Sequence, residues 1–385
     1  MSGFPPDRRT FRVALLNPCF WPEVRRGSER LIRELADHLL DSGHRVRLIT
    51  GHPHARPSRT VEDGLEVLRV PRLLDGYLQR RRIEHYLTHT PLTYLSLRRG
   101  TDDLAHAFYP TDAAAAARWS RATGRPAIFS YMGIPQRNVI ASRRMRLRLL
   151  AEAVEGAATV VALSEATAAG LRRWLGVAQP RVIYPPTNCH LFTPGALKAE
   201  HPTILCAAPW EDVRKRVSLV VKAFALVRRE RPRARLLLLR PADQLAAEEL
   251  SRHPGVELFA PVERPADLAP LYRRAWVSAL ASYNEAFGIV LVESLACGTP
   301  VVAANDGGPR EIVERPQIGR LFDGGEPEVV ARALLETLEL AEDPSTAEAC
   351  RKSSLRFSSE RCGEAHEALY RELIERGAGS RSRVV

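Results

Sequence analysis

The strongest constraint in this sequence is an alternation of short apolar runs with segments whose apolar residues recur at helical spacing. Residues 11–16 form an apolar run, followed by a loop containing Pro, Gly and Ser. Leu31, Ile32, Leu35, Ala36, Leu39 and Leu40 then repeat with a helical period, and after Gly43 a second apolar run spans 46–50. Strand, helix, strand in this order is the unit of a parallel sheet. Further strand-like segments at 65–70, 104–108, 127–131 and 159–163 have helical or polar stretches between them, and an alanine run at 113–117 suits a helix. This part of the chain predicts a doubly wound α/β domain.

The pattern stops once and restarts. Across 182–194 the chain reads Tyr184, Pro185, Pro186, Thr187 and Asn188, where two prolines fix φ and end regular structure. Strand-like runs return at 203–207, 235–239, 256–259, 276–280 and 300–303, with helices expected at 217–227, from 287 onward, at 310–313 and at 328–340. At 385 residues the chain exceeds one ordinary hydrophobic core. The expected division is 1–186, 187–355, and a helix with a disordered tail over 356–385. The fold class is therefore α/β, two doubly wound Rossmann-like domains facing each other across a cleft. Ligands of open parallel sheets bind beyond the carboxyl ends of the strands, which makes that cleft the expected site.

Composition removes several classes of function. Apolar residues make up 45% and charged residues 26%, ordinary for a globular protein. No apolar run approaches the roughly 18 residues of a membrane-spanning helix. Residues 1–10 are polar and lack the apolar core of a secretory signal, so the expected location is cytoplasmic. Six scattered cysteines have no zinc or redox spacing, so free thiols and no metal site are expected. The net charge of +11 is mostly arginine, with clusters at Arg80, Arg81 and Arg82 and at Arg143, Arg144, Arg146 and Arg148. Neither cluster is interleaved with aromatics as a single-strand binder's would be, so no nucleic acid partner is expected. Two readings of the clusters stay open: a solvated face, or a patch that attracts phosphate or makes peripheral contact with an anionic membrane at its inner face.

The richest stretch for chemistry is 284–313, which reads N-E-A-F-G-I-V-L-V-E-S-L-A-C-G-T-P-V-V-A-A-N-D-G-G-P-R-E-I-V. Glu285 falls after a strand and before a helix, and Glu293 falls one to two turns into that helix. One carboxylate can meet a reacting sugar while the other reaches a nucleoside. Ala286, Phe287, Gly288 and Ile289 offer backbone amides at the helix N-terminus, where the dipole favours anions and polar oxygens. Gly288 permits a ligand to approach the backbone.

These residues resemble glycosyltransferase family four, a group of retaining enzymes of the two-domain GT-B type. Its signature of two glutamates separated by seven residues, within E-x-F-G-x-x-x-x-E-x-x-A-x-G-x-P-V-x-x-x-x-x-G-G-x-x-E-I-V, is matched from Glu285 to Val313. Residues 11–50, 160–164, 182–194 and 204–224 are similar to the family's opening strand-loop-helix, its V-x-x-x-S strand, its interdomain segment and its phosphate-binding segment. The resemblance implies that the nucleotide sits on the second domain and the acceptor on the first. It implies that Glu293 bonds the ribose, that Glu285 contacts the donor sugar, and that the amides of Phe287, Gly288 and Ile289 hold sugar hydroxyls. Lys215, helped by Arg214 or Arg216, would neutralise the diphosphate, and Gly27 would bring a second helix N-terminus toward that charge.

The sequence departs from the family at three places. The glycine pair before the first helix reads Arg26-Gly27. The arginine after the second domain's first strand is missing, the stretch reading Ala207, Ala208, Pro209 and Trp210, so phosphate binding leans harder on Lys215. A first-domain histidine is replaced by Tyr131, Met132 and Gly133. His106 reads as a packed, satisfied side chain, and Asp102 and Asp103 as loop or cap residues.

The expected function is a metal-independent, retaining hexosyltransferase with no cofactor beyond its nucleotide-sugar co-substrate, using a uridine- or guanosine-diphosphate sugar. The acceptor is a glycan, a lipid-linked sugar or a small metabolite. An epimerase or phosphorylase on the same fold is one alternative. The other is a catalytically silent binding partner of a second transferase, against which intact Glu285 and Glu293 argue.

Overall fold

The structure, a computed structural model, describes residues 10–24, 27–54, 56–81, 83–195, 198–262 and 264–381. Arg26, Arg82, the polar stretch 1–9 and the last four residues lie outside these, as does the side chain of Arg144. The chain divides into two compact units. One holds the described residues up to Tyr184 together with those from Glu360 onward, and the other is Pro185–Ser359.

The first unit is built on eight strands: β1 (Arg12–Asn17), β2 (Arg45–His52), β3 (Ser58–Glu62), β4 (Leu65–Pro71), β5 (Leu104–Ala107), β6 (Ala127–Tyr131), β7 (Thr159–Ala162) and β8 (Arg181–Val182). Their order is β3-β4-β2-β1-β5-β6-β7-β8, parallel throughout except that β3 runs antiparallel to β4. In register, Val13 of β1 sits beside Val46 on one side and Leu104 on the other. Val13, Ala14, Leu15 and Leu16 are all fully buried, as a strand covered on both faces requires. Strand order reverses at β1, so the crevice beyond β1 and β5 is this sheet's switch point.

The last helix, Ser359–Arg381, supplies buried partners to this sheet rather than forming a separate segment. It also continues six residues past Glu375, through part of the tail expected to be disordered. His106 Nδ1 lies 2.6 Å from Tyr370 Oη, and its Nε2 lies 2.7 Å from Ser130 Oγ. His106 is thus the packed, satisfied side chain that the sequence suggests. His366 donates from Nδ1 to the Cys362 carbonyl at 2.9 Å. Burial drives His106 well below the usual histidine range and lowers His366 to about 4. Asp102 pairs with Arg47 and Asp103 accepts from the Arg12 amide, roles that tie loops to strands.

The second unit holds β9 (Thr203–Cys206), β10 (Arg235–Leu239), β11 (Val256–Phe259), β12 (Val277–Leu280), β13 (Val301–Ala304) and β14 (Gly319–Phe322). All neighbours are parallel, in the order β11-β10-β9-β12-β13-β14. That is the doubly wound order of a dinucleotide-binding sheet, with its switch point between β9 and β12. Short β14 and exposed β3 carry no strand pattern of their own, and neither is anticipated from the sequence. The helix expected from Phe287 begins two residues later, as Ile289–Ala296, because Gly288 adopts a left-handed φ of 102° and serves as its N-cap.

Candidate active site

Nine of the ten candidate residues lie in the second unit, in the two loops that leave the switch point. Lys215, Arg214 and Arg216 follow β9, while Glu285 to Ile289 and then Glu293 follow β12. Because β9 and β12 are neighbours, their loops leave the same edge of the sheet side by side. Lys215 and Glu285, 70 positions apart, meet there: Lys215 Nζ donates to Glu285 Oε2 at 2.7 Å. Their side chains keep 21% and 15% of their surface exposed, so the pair is sheltered yet open to a ligand.

Local structure explains why Lys215 points at this loop. Asp212 caps a single 3-10 turn, Val213–Lys215, by accepting the Arg214 amide at 3.1 Å. Arg216 then takes a left-handed φ of 49°, turning the chain into the helix Val217–Glu230. The Arg216 guanidinium braces the loops, donating to Ala281 O at 2.5 Å and Gly324 O at 3.0 Å. Arg214 folds back on Asp212, with contacts of 2.6 and 3.1 Å, while its carbonyl accepts the Tyr283 amide. Of the three cations, Lys215 alone is paired with Glu285; Arg216 grips backbone and Arg214 grips its own cap.

Glu293 is fully buried, one turn into the helix Ile289–Ala296, and accepts from Tyr272 Oη at 3.0 Å. Tyr272, on the helix Pro265–Arg274, is itself fully buried, and its carbonyl accepts Thr299 Oγ1 at 2.7 Å. Sequence reasoning missed this tyrosine. Its helix contains Pro270, and no spacing relates it to Glu293.

Ala286, Phe287 and Gly288 are held from behind by the loop after β13. The Gly308 amide donates to Glu285 O at 2.9 Å, and the Asn284 amide donates to Asp306 Oδ2 at 2.8 Å. A side chain at Gly308 would strike the backbone of Ala286 and Phe287, so the glycine pair is the seat on which this segment rests. Asn284, at a left-handed φ of 51°, makes the sharp turn into it.

Gly27 lies in the first unit, opening the helix Gly27–Asp41 beyond the carboxyl end of β1. The first turn of that helix already holds a carboxylate. Glu29, almost fully buried, accepts from Asn17 Nδ2 at 3.2 Å and from Cys19 Sγ at 3.4 Å. All six cysteines are free and buried, and among the described residues no group of three or more His, Cys, Asp or Glu is placed to hold a metal ion.

Comparison with known proteins agrees with this architecture. The model for the glycosyl transferase 4-like domain matches residues 26–187, and the model for glycosyl transferases group 1 matches residues 194–354. Among curated proteins, the D-inositol 3-phosphate glycosyltransferase of Thermobispora bispora is 33% identical over 223 residues, 51% of each chain. The one from Corynebacterium jeikeium is 41% identical over 136 residues, 35% of this chain and 32% of that protein. The matches to these two thus span only about a third to a half of the relatives' length. Among solved structures, the sucrose-phosphate synthase of Thermosynechococcus elongatus superposes with a TM-score of 0.79 at 23% identity, covering 95% of this chain and 99% of that one. Anabaena HepE in complex with UDP and glucose superposes with a TM-score of 0.68 at 18% identity, covering 93% and 99%. With the glutamate pair standing on a doubly wound sheet and the two models matched in succession along the chain, this protein belongs to glycosyltransferase family four and has the fold of its GT-B enzymes.

Proposed function

We propose that this chain is a retaining hexosyltransferase that takes its sugar from a nucleoside-diphosphate donor and needs no metal to do so. The observation that carries the reading is the Lys215–Glu285 pair at the switch point of the second sheet, 2.7 Å apart and accessible. A lysine ammonium has three donors, and Glu285 uses one, which leaves two for phosphate oxygens. Departure of a nucleoside diphosphate builds negative charge on those oxygens, and a fixed cation beside a helix N-terminus stabilises it without reorganisation.

In this reading Glu285 meets the donor sugar and the amides of Ala286, Phe287, Gly288 and Ile289 hold its hydroxyls. Glu293, oriented by Tyr272, bonds the ribose. Arg216 acts by bracing the loops and Arg214 by buttressing the turn that aims Lys215. Gly27 is carried as a donor-binding residue on the resemblance alone. The acceptor is a glycan, a lipid-linked sugar or a small molecule. Uridine is the first base to test, since HepE was solved with UDP and with UDP-glucose.

The test is a thermal-shift and calorimetric screen of the full chain against UDP, GDP, ADP and TDP, each with and without chelator. A diphosphate at a hundred times its Kd adds about 2.7 kcal/mol to the native state, a rise of roughly 5–10 °C for a unit of this size. A shift with one diphosphate that survives chelation is the expected result. A shift abolished by chelator would overturn the metal-independent part, and no shift with any diphosphate would overturn the donor assignment.

A further inference from the structure

One face of the first unit gathers exposed apolar side chains and arginines that no carboxylate among the described residues answers. Two segments form it. In one, Leu73, Leu74 and Tyr77 are exposed, Leu74 at 65%, beside Arg80 and Arg81, and the Arg81 guanidinium sits 5.5 Å from the Tyr77 ring centre. In the other, Val139, Leu147 and Trp174 are exposed beside Arg137, Arg148 and Arg173, with Arg173 4.6 Å from the Trp174 ring centre. Side chains tie the segments together. Arg143 Nη1 donates to Ile83 O at 2.8 Å, and Arg146 holds both oxygens of Glu84 at 2.8 and 2.9 Å.

Val61 and Leu95 apart, these are the large apolar side chains exposed among the described residues of this unit. The nearby carboxylates are already engaged: Glu84 is buried on Arg146, and Glu23 and Asp75, both partly exposed, pair with buried Arg72. Among the described residues no carboxylate pairs with Arg80, Arg81, Arg137, Arg148 or Arg173. Leu74 is presented outward at a left-handed φ of 64°, a conformation that costs a non-glycine residue and gains nothing in water. Apolar surface held out in this way, ringed by unanswered cations, marks an interaction site.

We propose that this face docks the protein on an anionic membrane surface. Leu73, Leu74, Tyr77 and Trp174 enter the headgroup layer, where rings with a polar flank are favoured, and the arginines meet lipid phosphate. The two exposed rings each carry a guanidinium on one face, which suits a headgroup layer better than stacking on nucleic-acid bases. Arg80, Arg81 and Arg148, described members of the two arginine clusters, belong to these segments, with Arg143 and Arg146 as the ties between them.

The proposal stands apart from the transfer reaction and is tested without it, by flotation of the full chain with vesicles of phosphatidylcholine alone or of equal parts phosphatidylcholine and phosphatidylglycerol. The protein floats with the anionic vesicles and not the neutral ones, and raising salt releases it. Arg80→Gln with Arg81→Gln weakens binding by roughly 25-fold, about fivefold per arginine. Leu74→Ser and Trp174→Ala each weaken it as well, whereas Val61→Ser, off this face, floats like the parent. Arg80, Arg81 and Leu74 are exposed, so unchanged thermal midpoints accompany their losses, whereas Trp174, 37% exposed, is read against its variant's own midpoint. Three results would each overturn the proposal: equal flotation with neutral vesicles, parental binding by the arginine variant, or binding of a single-stranded oligonucleotide without flotation.

Discussion

Replacing Gly308 by alanine tests whether the loop after β13 sets the position of the reacting loop. Gly308 has a φ of −62°, ordinary for any residue, so alanine meets no backbone cost there and the effect comes from contact alone. An added Cβ would lie 2.7 Å from both Ala286 O and Phe287 O, and closer still to Phe287 Cα. Ordinary carbon contacts are about 3.5–4.0 Å, so one backbone must retreat by roughly 1 Å. Neither partner is a flexible side-chain tip that can swing away. Overpacking of this kind costs about 1–3 kcal/mol. The retreat also carries Glu285, whose carbonyl accepts the Gly308 amide, and a 1 Å misplacement of a reacting group costs about 100-fold in rate. The assay is kcat/KM for nucleotide-sugar consumption per folded molecule, with urea unfolding alongside. Gly176→Ala is the control, because its φ of 65° makes alanine costly while open space surrounds it, so stability falls and turnover per folded molecule does not. A Gly308→Ala protein within about twofold of the parent in kcat/KM would refute the claim that this glycine seats the site.

Three further outcomes follow from the same geometry. Glu285→Ala lowers kcat by about 100-fold while changing diphosphate affinity little, whereas Glu293→Ala weakens diphosphate binding; calorimetry beside turnover separates them, and neutrality of both would sink the assignment. Tyr272→Phe removes the hydroxyl that Glu293 accepts, so urea unfolding loses about 1–3 kcal/mol and nucleotide affinity falls; unchanged values in both would remove Tyr272 from the site. His106 and His366 both have lowered values in the native state, so their stabilisation is complete above about pH 6.5 and falls as acid protonates the unfolded chain first, that of His366 being lost as pH falls toward about 4. For His366 this amounts to about 3 kcal/mol, and His366→Gln flattens the acid limb of a stability-pH curve; an unaltered slope would contradict it.

Much of the fold was legible from local pattern because a parallel strand is buried on both faces and reads as an apolar run. β1, β2, β4 to β7 and β9 to β13 fall within two residues of where such runs predict them. The runs that failed are those for which burial gives no signal. β3 is a polar, mostly exposed edge strand, β8 is two partly exposed residues at the other edge, and β14 is four residues that include a glycine. The helix start missed by two residues because Phe287 is apolar and suits the helix, while the turn at Gly288 is decided by φ.

For the site, the spacing within 284–313 drew attention to Glu285 and Glu293, while Lys215 and the role expected of each residue came from the resemblance to glycosyltransferase family four. Their partners depended on tertiary structure. Lys215 meets Glu285 only because β9 and β12 are neighbours at a reversal of strand order, and Tyr272 meets Glu293 across two helices that no sequence period relates. His106 finds Tyr370 at a separation of 264 residues. The sequence by itself determined the strands buried on both faces and which side chains carry charge, since those follow from local burial and composition. Tertiary structure decided which charges meet, since hydrogen-bonded register and packing bring distant residues within 3 Å and local periodicity carries no record of them.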